Sequence, residues 1–234
     1  MITLVQFISW PGLPNFSPFC MKVENYLRLT GVEYRTEVGD VRRAPKKKLP
    51  VIVDGDTRVC DSGAIIEYLK SKHGDPLGDG KLSDAERSRA HLVRRTFEES
   101  LYFAMLYSRW VPDDAWPALR KRLAPMLPAF LRPFLPELIR GQIRKQVYMQ
   151  GTGRHTAEEI WALAGADLAA IATALGDAPF FGGAEPRTID ATAYGFLANV
   201  FYEPFHSPIT DRALAHPNLA AYADRMKARV YPGT

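Results

Sequence analysis

The first third of the chain alternates between two spacings of hydrophobic residues. Short runs of strand-forming residues predict β-strands, and they lie at residues 2–7, 33–38, 50–53 and 57–60. Asp54-Gly55-Asp56 between the last two runs predicts a hairpin turn. One helix is predicted from Ser17-Pro18 to Gly31, because serine favours the N-cap, proline the first helical position and glycine the C-cap. A second is predicted from Ser62 to about Lys72.

After residue 83 the hydrophobic positions have helical spacing throughout. Ser83 with Glu86, and Thr156 with Glu159, match the capping box, in which two side chains satisfy each other's free amides. The predicted helices cover residues 83–110, 136–150, 156–175, 188–202 and 217–230. Four prolines exclude one straight helix between the first two of these, so we expect short helical pieces there. These prolines are Pro125, Pro128, Pro133 and Pro136.

The two patterns meet at a glycine-rich segment. Residues 74–80 have the sequence Gly-Asp-Pro-Leu-Gly-Asp-Gly, which is typical of a linker. We therefore expect a domain of strands and helices at residues 1–74, a linker at 75–82, and an all-helical domain at 83–234.

Composition narrows the class of protein without identifying it. Of 234 residues, 47% are hydrophobic and 24% charged, which is ordinary for a globular chain and argues against long disorder or a fibre. Cys20 and Cys60 are too few for a disulfide framework or a cysteine-rich zinc site. The five histidines are scattered, so we expect no metal. A net charge of +4 does not indicate nucleic acid. No run approaches the ~20 apolar residues of a membrane helix and no targeting signal is visible, so we expect a cytoplasmic location.

Three segments of the first domain together form a recognisable pattern. They are Asn15-Phe16-Ser17-Pro18-Phe19-Cys20, Lys48-Leu49-Pro50-Val51 and Asp61-Ser62-Gly63-Ala64-Ile65-Ile66. The pattern resembles the first half of a glutathione S-transferase, and an all-helical second half after a short linker agrees with it. The residues at 12–24, 44–50 and 151–155 are most similar to the metaxin-like and failed-axon-connections-like branch of that superfamily. The resemblance implies an N-terminal thioredoxin-like domain with a mixed four-stranded sheet, followed by a C-terminal helical bundle.

The resemblance also implies a site for reduced glutathione. The equivalent of Pro50 is cis in this fold, which turns the amide and carbonyl of Leu49 outward to pair with an extended peptide. Asp61 and Ser62 lie where the γ-glutamyl end binds, since a helix N-terminus attracts a carboxylate and Asp61 can accept from an ammonium group. Lys48 lies where a lysine meets the glycyl carboxylate. The alternatives are an ordinary edge-strand proline, a simple helix cap and a solvated basic turn.

Ser17 lies where relatives have their reacting cysteine or serine, so we expect it to be the catalytic residue that stabilises the glutathione thiolate. The alternative is plain N-capping. Ser17 and Cys20 have the Cys-x-x-Cys spacing with the first cysteine replaced, so no internal disulfide can form. Cys20 therefore has two interpretations, buried packing or a redox and thiol-transfer role.

Aromatic and aliphatic side chains near Ser17 and on the first helix of the second domain are candidates for an apolar substrate pocket. They are Trp10, Phe16, Tyr102, Phe103 and Leu106. Helical stripes of this kind are more often core than pocket. The family's helix cap has a serine or threonine three residues before Asp190, and here that position is Arg187.

Two functions remain open. The first is a transferase that binds reduced glutathione, activates its thiolate and directs it at a small apolar electrophile in detoxification. The second is a non-catalytic adaptor of metaxin-like type that acts in protein or membrane interaction through the basic segment 120–145. The intact glutathione motifs favour the enzyme. We expect a homodimer from the resemblance, and expect neither nucleic acid nor membrane contact.

Overall fold

The N-terminal part is a four-stranded mixed sheet with two helices. A computed structural model describes residues 1–10, 12–127, 129–202 and 207–233, without the side chain of Met126. The strands are β1 (Ile2–Gln6), β2 (Tyr34–Val38), β3 (Val51–Asp54) and β4 (Thr57–Cys60). Their order is β2-β1-β3-β4, with β2 parallel to β1 and both β1–β3 and β3–β4 antiparallel. The predicted mixed four-stranded sheet is thus confirmed.

The two helices of this part begin and end as their sequences predict. Helix α1 (Pro18–Thr30) begins with Ser17 as N-cap and Pro18 in its first turn, and it ends at Gly31 in the left-handed conformation. Helix α2 (Ser62–His73) follows β4 directly and has Asp61 as its N-cap. Asp61 has a φ of 84°, which is unusual for a residue with a Cβ. Such strain is held only where the surroundings enforce it, and it is often found at functional sites.

All the elements after Gly74 are helical in the described part of the chain. The α-helices are α3 (Asp84–Arg95), α4 (Tyr102–Trp110), α5 (Trp116–Leu123), α6 (Leu135–Gln150), α7 (Ala157–Leu175), α8 (Thr188–Phe201), α9 (Pro208–Leu214) and α10 (Pro217–Val230). A π-helical turn, Thr96–Leu101, joins α3 to α4. Short 3-10 turns occur at Asp79–Lys81, Ala124–Met126, Ala129–Leu131 and Thr152–Arg154.

The predictions for this half hold with one addition. Both capping boxes form, from Ser83 with Glu86 and from Thr156 with Glu159. The segment before α6 consists of short helical pieces, including α5, as expected, although Pro128 lies outside the described residues. Helix α9 was not predicted. It has seven residues, and so short a run contains too few apolar positions to establish a period.

Helix α1 joins the two halves of the molecule. Its residues Val23, Tyr26 and Leu27 pack with β1, β3 and α2 in the core of the first domain. Its opposite face packs on α8, where a Cβ added to Gly195 would lie 2.8 Å from the carbonyl oxygen of Pro18. Only glycine allows the two backbones to approach so closely.

The cap of α8 forms without the hydroxyl that the family usually has. The buried carboxylate of Asp190 accepts hydrogen bonds from the amides of Phe181, Gly182 and Arg187 at 2.8, 3.0 and 2.8 Å. Burial raises the pKa of this carboxyl to about 6, against the opposing effect of these bonds. Arg187 takes part through its amide, so its side chain does not weaken the cap.

Candidate active site

Ser17 stands at the start of α1 with a proton to donate. Its hydroxyl oxygen accepts from the amide of Cys20 at 3.3 Å, and its own amide donates to the side-chain oxygen of Asn15 at 3.0 Å. The same hydroxyl is within hydrogen-bond reach of the Cys20 thiol, and the side chain is half-buried. Because a neutral thiol is a weak acceptor, the residue is an N-cap whose proton can turn to a stronger acceptor on a ligand.

The second segment leaves backbone groups open. The Leu49–Pro50 peptide bond is cis, as expected. Within the described part of the chain, neither the amide nor the carbonyl of Leu49 is hydrogen-bonded, although its side chain is buried. These two groups can pair with an extended peptide. The side chain of Lys48 is exposed, whereas that of Lys47 donates to the carbonyl of Arg42.

The third segment combines a carboxylate with free donors. One oxygen of Asp61 accepts from the amides of Gly63 and Ala64, at 3.0 and 3.2 Å. The amide of Ser62 is in the first helical position and needs no intrahelical partner. The hydroxyl of Ser62, a buried residue, has no hydrogen-bond partner in the described ranges. This end of α2 thus offers an acceptor at Asp61 and two donors at Ser62.

The fold brings the three segments together around the first two turns of α1. Cys20 packs in one cluster with Leu49 and Val51, which places the cis-proline segment against the first turn. Lys22, in the second turn, lines the same cavity as Gly63 at the start of α2. The cis-proline segment thus lies against the first turn of α1, and the start of α2 lies near its second turn.

Cys20 lies in the first turn of α1. Its side chain is fully buried. Burial raises the pKa of its thiol to about 11, although the hydrogen bond with Ser17 opposes the rise. Since the thiolate is the reactive form of cysteine, this environment favours the packing interpretation over the redox one. Cys60 is half-buried.

The two aromatic residues of the N-terminal loop form a stacked pair. The rings of Trp10 and Phe16 lie 4.5 Å apart and nearly parallel. Trp10 is only 4% exposed, so its ring contributes to the core of the helical domain and offers little surface to a ligand. Phe16 is half-buried, and the guanidinium of Arg109 lies 4.2 Å from its ring centre.

The pocket residues predicted on the helical domain are half-buried. Tyr102 packs edge-on against Phe19 at 4.9 Å, which brings its ring within two residues of Ser17 along α1. Phe103 contacts Tyr102 at 5.2 Å. Leu106 packs against the helical core. Burial raises the pKa of the Tyr102 phenol to about 12, so it stays protonated at neutral pH. Phe19 was not predicted for this wall, because its position in α1 indicates only core.

A buried polar network that the sequence did not predict holds the Ser17 loop. Asn15 is fully buried and donates to the carbonyl of Phe7 at 2.7 Å. Its own carbonyl accepts from Asn199 of α8, and Arg109 of α4 donates to Asn199 and to the carbonyl of Phe16. The helical domain thus fixes the loop that positions Ser17. Buried asparagines and arginines are paired, but only the fold shows with which groups.

Among the described residues, which do not include His206, no three or more histidine, cysteine, aspartate or glutamate side chains come together as metal ligands. None of their helices combines the length and hydrophobicity needed to cross a bilayer.

Comparison with known protein families gives two matches. Residues 18–115 match the model of the glutathione S-transferase N-terminal domain, and residues 164–226 match that of the glutathione S-transferase C-terminal domain.

Individual relatives include an enzyme and proteins of the metaxin-like branch. Isoprene-epoxide–glutathione S-transferase of Rhodococcus sp. (strain AD45) is 33% identical over 97% of this chain and 98% of its own length. Failed axon connections of Drosophila melanogaster is 32% identical over 99% of this chain, which spans 58% of that longer protein. Human Metaxin-2 is 22% identical over 80% of this chain and 72% of its own length.

Solved structures show the same fold. A glutathione transferase from Phanerochaete chrysosporium, GSTFuA3, superposes with a TM-score of 0.67 over 97% of this chain and 96% of its own, at 18% identity. The β-etherase LigF of Sphingobium gives 0.65 over 97% and 95%, at 16% identity. With the thioredoxin-like sheet, the helical second half and these relatives, the chain belongs to the glutathione S-transferase superfamily, in the branch that includes the metaxins and Failed axon connections.

Proposed function

We propose that this protein is a glutathione transferase of the serine or cysteine type, with Ser17 as the residue that activates the thiol. The observation that carries the proposal is the hydroxyl of Ser17. It caps α1, has a proton that a thiolate can accept in place of the Cys20 thiol, and precedes the turn of α1 against which the Leu49 segment packs. The 33% identity to an isoprene-epoxide transferase along nearly the whole chain supports it.

In this proposal each segment binds one part of glutathione. The amide and carbonyl of Leu49 pair with the cysteinyl residue as an added strand would. Ser62 donates to the γ-glutamyl carboxylate, and the free oxygen of Asp61 accepts from its ammonium group. Lys48, which is exposed and adjacent to Leu49, meets the glycyl carboxylate.

Ser17 acts by stabilising the thiolate. A free thiol has a pKa of ~8.5, so little thiolate exists at neutral pH. A hydrogen bond to a charged group contributes about 1.5–3 kcal/mol. Since one pKa unit corresponds to about 1.4 kcal/mol, the hydroxyl of Ser17 lowers the thiol pKa by roughly one to two units, and the positive end of α1 adds to this.

The second substrate is a small apolar electrophile bound against Tyr102, Phe103, Leu106 and Phe16. We propose an epoxide as its class, because the similar Rhodococcus enzyme is named for one. The thiolate attacks an epoxide carbon, a C–S bond forms, the C–O bond breaks, and the resulting alkoxide takes a proton from water. A detoxification role, a cytoplasmic location and a homodimer remain parts of the proposal.

Glutathione binding is tested by thermal unfolding with and without millimolar reduced glutathione. At a hundredfold excess over the Kd, binding adds about 2.7 kcal/mol, which for a chain of this size raises Tm by roughly 5–10 °C. We expect Asp61→Ala to abolish the rise. No rise at saturating concentration would overturn the enzyme proposal.

The role of Ser17 is tested by titrating the ultraviolet absorbance of the bound thiolate. Ser17→Ala should raise the pKa of bound glutathione by one to two units and slow conjugation of an epoxide. Ser83→Ala is the matched control, because it also removes a serine N-cap but lies at the start of α3. Both variants lose about 1 kcal/mol of stability, and only Ser17→Ala should shift the thiol. An unchanged thiol pKa would show that Ser17 is merely a cap.

The second candidate is a non-catalytic adaptor, favoured by the metaxin relatives and by one surface of this chain. Phe130, Phe134 and Leu138 are 77, 74 and 60% exposed. Residues 117–150 contain seven of the 30 basic residues and one of the 26 acidic residues. If glutathione produces no thermal shift, this surface is where a partner would be sought first.

A further inference from the structure

A cavity of about 370 Å³ lies between the two halves of the molecule, next to the start of α2. It is lined by Gly63 of α2, Lys22 of α1, Arg94 of α3, and Thr188 and Thr192 of α8, among others. It therefore adjoins the proposed γ-glutamyl site on one side and the helical domain on the other.

The cavity has a polar group without a partner. The hydroxyl of Thr192 is 0% exposed and forms no hydrogen bond among the described residues, whereas Thr188, one turn earlier in α8, faces the carboxylate of Asp79. Buried hydroxyls are almost always hydrogen-bonded, to protein or to water. The hydroxyl of Thr192 therefore indicates that the cavity holds water or a polar ligand.

Two basic side chains at this cavity are paired with a single carboxylate. Glu98 is 2.6 Å from the ammonium of Lys22 and 3.3 Å from the guanidinium of Arg94. Two cations thus share one carboxylate. The acids that line the cavity do not compensate, because Lys70 lies 2.7 Å from Asp79 and 3.9 Å from Glu67. The cluster of Lys22, Arg94 and Glu98 thus has two basic side chains for one carboxylate, and the next negative charge that acts on Lys22 is that of Asp61 at the start of α2.

Arg94 extends this charge to the start of α2. Its terminal nitrogen lies 3.9 Å from the position that a Cβ on Gly63 would occupy. The other terminal nitrogen of Arg94 lies 3.3 Å from a ring nitrogen of His91, so the guanidinium is held on two sides while its side chain stays one-third exposed. A carboxylate bound at Ser62 would be next to it.

The start of α2 cannot hold a carboxylate well by itself. Asp61 already occupies the amides of Gly63 and Ala64, which leaves a ligand only the amide and hydroxyl of Ser62. Asp61 also places a negative charge at the same helix end. A bound carboxylate therefore needs a cation to offset that charge, and Arg94 is placed to supply it.

We propose that Arg94, from the helical domain of the same chain, binds the α-carboxylate of the γ-glutamyl residue of glutathione. This rests on the proposed function. Both domains of one chain then hold the γ-glutamyl end, with Asp61 on its ammonium group and Ser62 and Arg94 on its carboxylate. The hydroxyl of Thr192 binds water that fills the rest of the cavity.

The test compares two ligands that differ by one group. They are reduced glutathione and 4-aminobutyryl-cysteinyl-glycine, which lacks only the γ-glutamyl α-carboxylate. Their Kd values are measured by calorimetry for the wild type, for Arg94→Gln and for Arg95→Gln. Arg95 is the matched control, because it is the next residue and its only described ion pair is an exposed one, with Glu99 at 2.9 Å.

A charge-assisted hydrogen bond between partly buried groups is expected to change affinity about tenfold to a hundredfold. Arg94→Gln should weaken glutathione binding by that factor and leave the affinity for the shortened peptide within about twofold. Arg95→Gln should change neither. Arg94→Lys, which keeps a charge but not the planar fork, should lie between.

The failures of the two proposals are distinguishable. If the wild type binds neither ligand, the proposed function is wrong. If the wild type binds glutathione and Arg94→Gln weakens the binding of both ligands by the same factor, Arg94 acts on structure alone and the inference is wrong. Unchanged glutathione affinity in Arg94→Gln overturns it as well. Should Arg94→Gln fail to fold, Arg94→Lys gives the same comparison, and equal losses for the two ligands count against the inference.

Discussion

The buried ion pair between Lys22 and Glu98 connects the thioredoxin-like domain to the helical domain. Lys22 is 1% exposed and Glu98 is 7% exposed, and their charged atoms are 2.6 Å apart. Burial lowers the pKa of the Lys22 ammonium, while the charge of Glu98 opposes that change. Each charge is therefore kept inside the protein by the other.

The two partners are not equivalent, and this predicts an asymmetry. At an effective dielectric constant of ~20, charges at these distances attract by about 6 kcal/mol for Lys22 with Glu98 and about 5 kcal/mol for Arg94 with Glu98, before solvent screening. Glu98 thus has two cations, one of them partly screened. Lys22 has only Glu98 as an ion-pair partner among the described residues.

Glu98→Gln leaves a buried ammonium without a counter-charge, which costs about 3–5 kcal/mol. Lys22→Met keeps Arg94 beside Glu98 and fills the space of the lysine stem, so we expect a smaller loss of about 2 kcal/mol. The double variant removes both buried charges. It should be more stable than Glu98→Gln alone, by at least about 1 kcal/mol.

The assay is the unfolding free energy of the four proteins, from denaturant titration, with Tm as a second measure. For a chain of this size Glu98→Gln should lower Tm by about 10 °C. Arg95→Gln breaks an exposed pair and should cost less than about 1 kcal/mol. The reasoning is refuted if Lys22→Met costs more than Glu98→Gln, or if the losses of the two single variants simply add in the double variant.

Two further predictions follow from close packing and from burial. Gly195→Ala places a Cβ 2.8 Å from the carbonyl oxygen of Pro18 and should lower the free energy of unfolding by about 1–3 kcal/mol. Gly141→Ala in α6 is the control, because its Cβ meets nothing within 4 Å, and it should raise the free energy of unfolding by up to about 1 kcal/mol. Equal effects in denaturant titration would show that α1 and α8 are not in close contact. In the native protein Cys20 should not react with a thiol reagent at neutral pH, because its pKa is about 11 and it is buried. Half-buried Cys60 should react. Reaction of two thiols per chain in the folded protein would contradict the structure.

The sequence was informative wherever a local rule determines the conformation. The caps Ser17, Ser83 and Thr156 placed the starts of their helices, because a cap acts within three residues of itself. The cis bond at Pro50 was expected from the resemblance alone. The roles of Ser17, Lys48 and Asp61 in glutathione binding are predictions that the thermal-shift and thiol-titration experiments test.

The sequence was uninformative where the partner of a side chain lies far along the chain. Nothing near Lys22 in sequence indicates that it will be buried, because its counter-charge is 76 residues away. Trp10 looked like a pocket residue from its distance to Ser17, and it is 4% exposed because the helical domain covers it. Such positions are decided by how the two domains pack.

The N-terminal half of the molecule depends on this packing. Helix α1 buries polar groups on the face that meets the helical domain, and their partners belong to that domain. Lys22 pairs with Glu98, and the side chain of Asn25 donates to the carbonyl of Ala191 and accepts from Tyr231. Without those partners, each of these groups would be exposed to solvent or left buried without a hydrogen-bond partner. An unsatisfied buried group costs about 1–3 kcal/mol. Ser17 is the N-cap of the same helix. The proposed active site therefore needs the second domain to hold α1 in place as well as to form the substrate pocket.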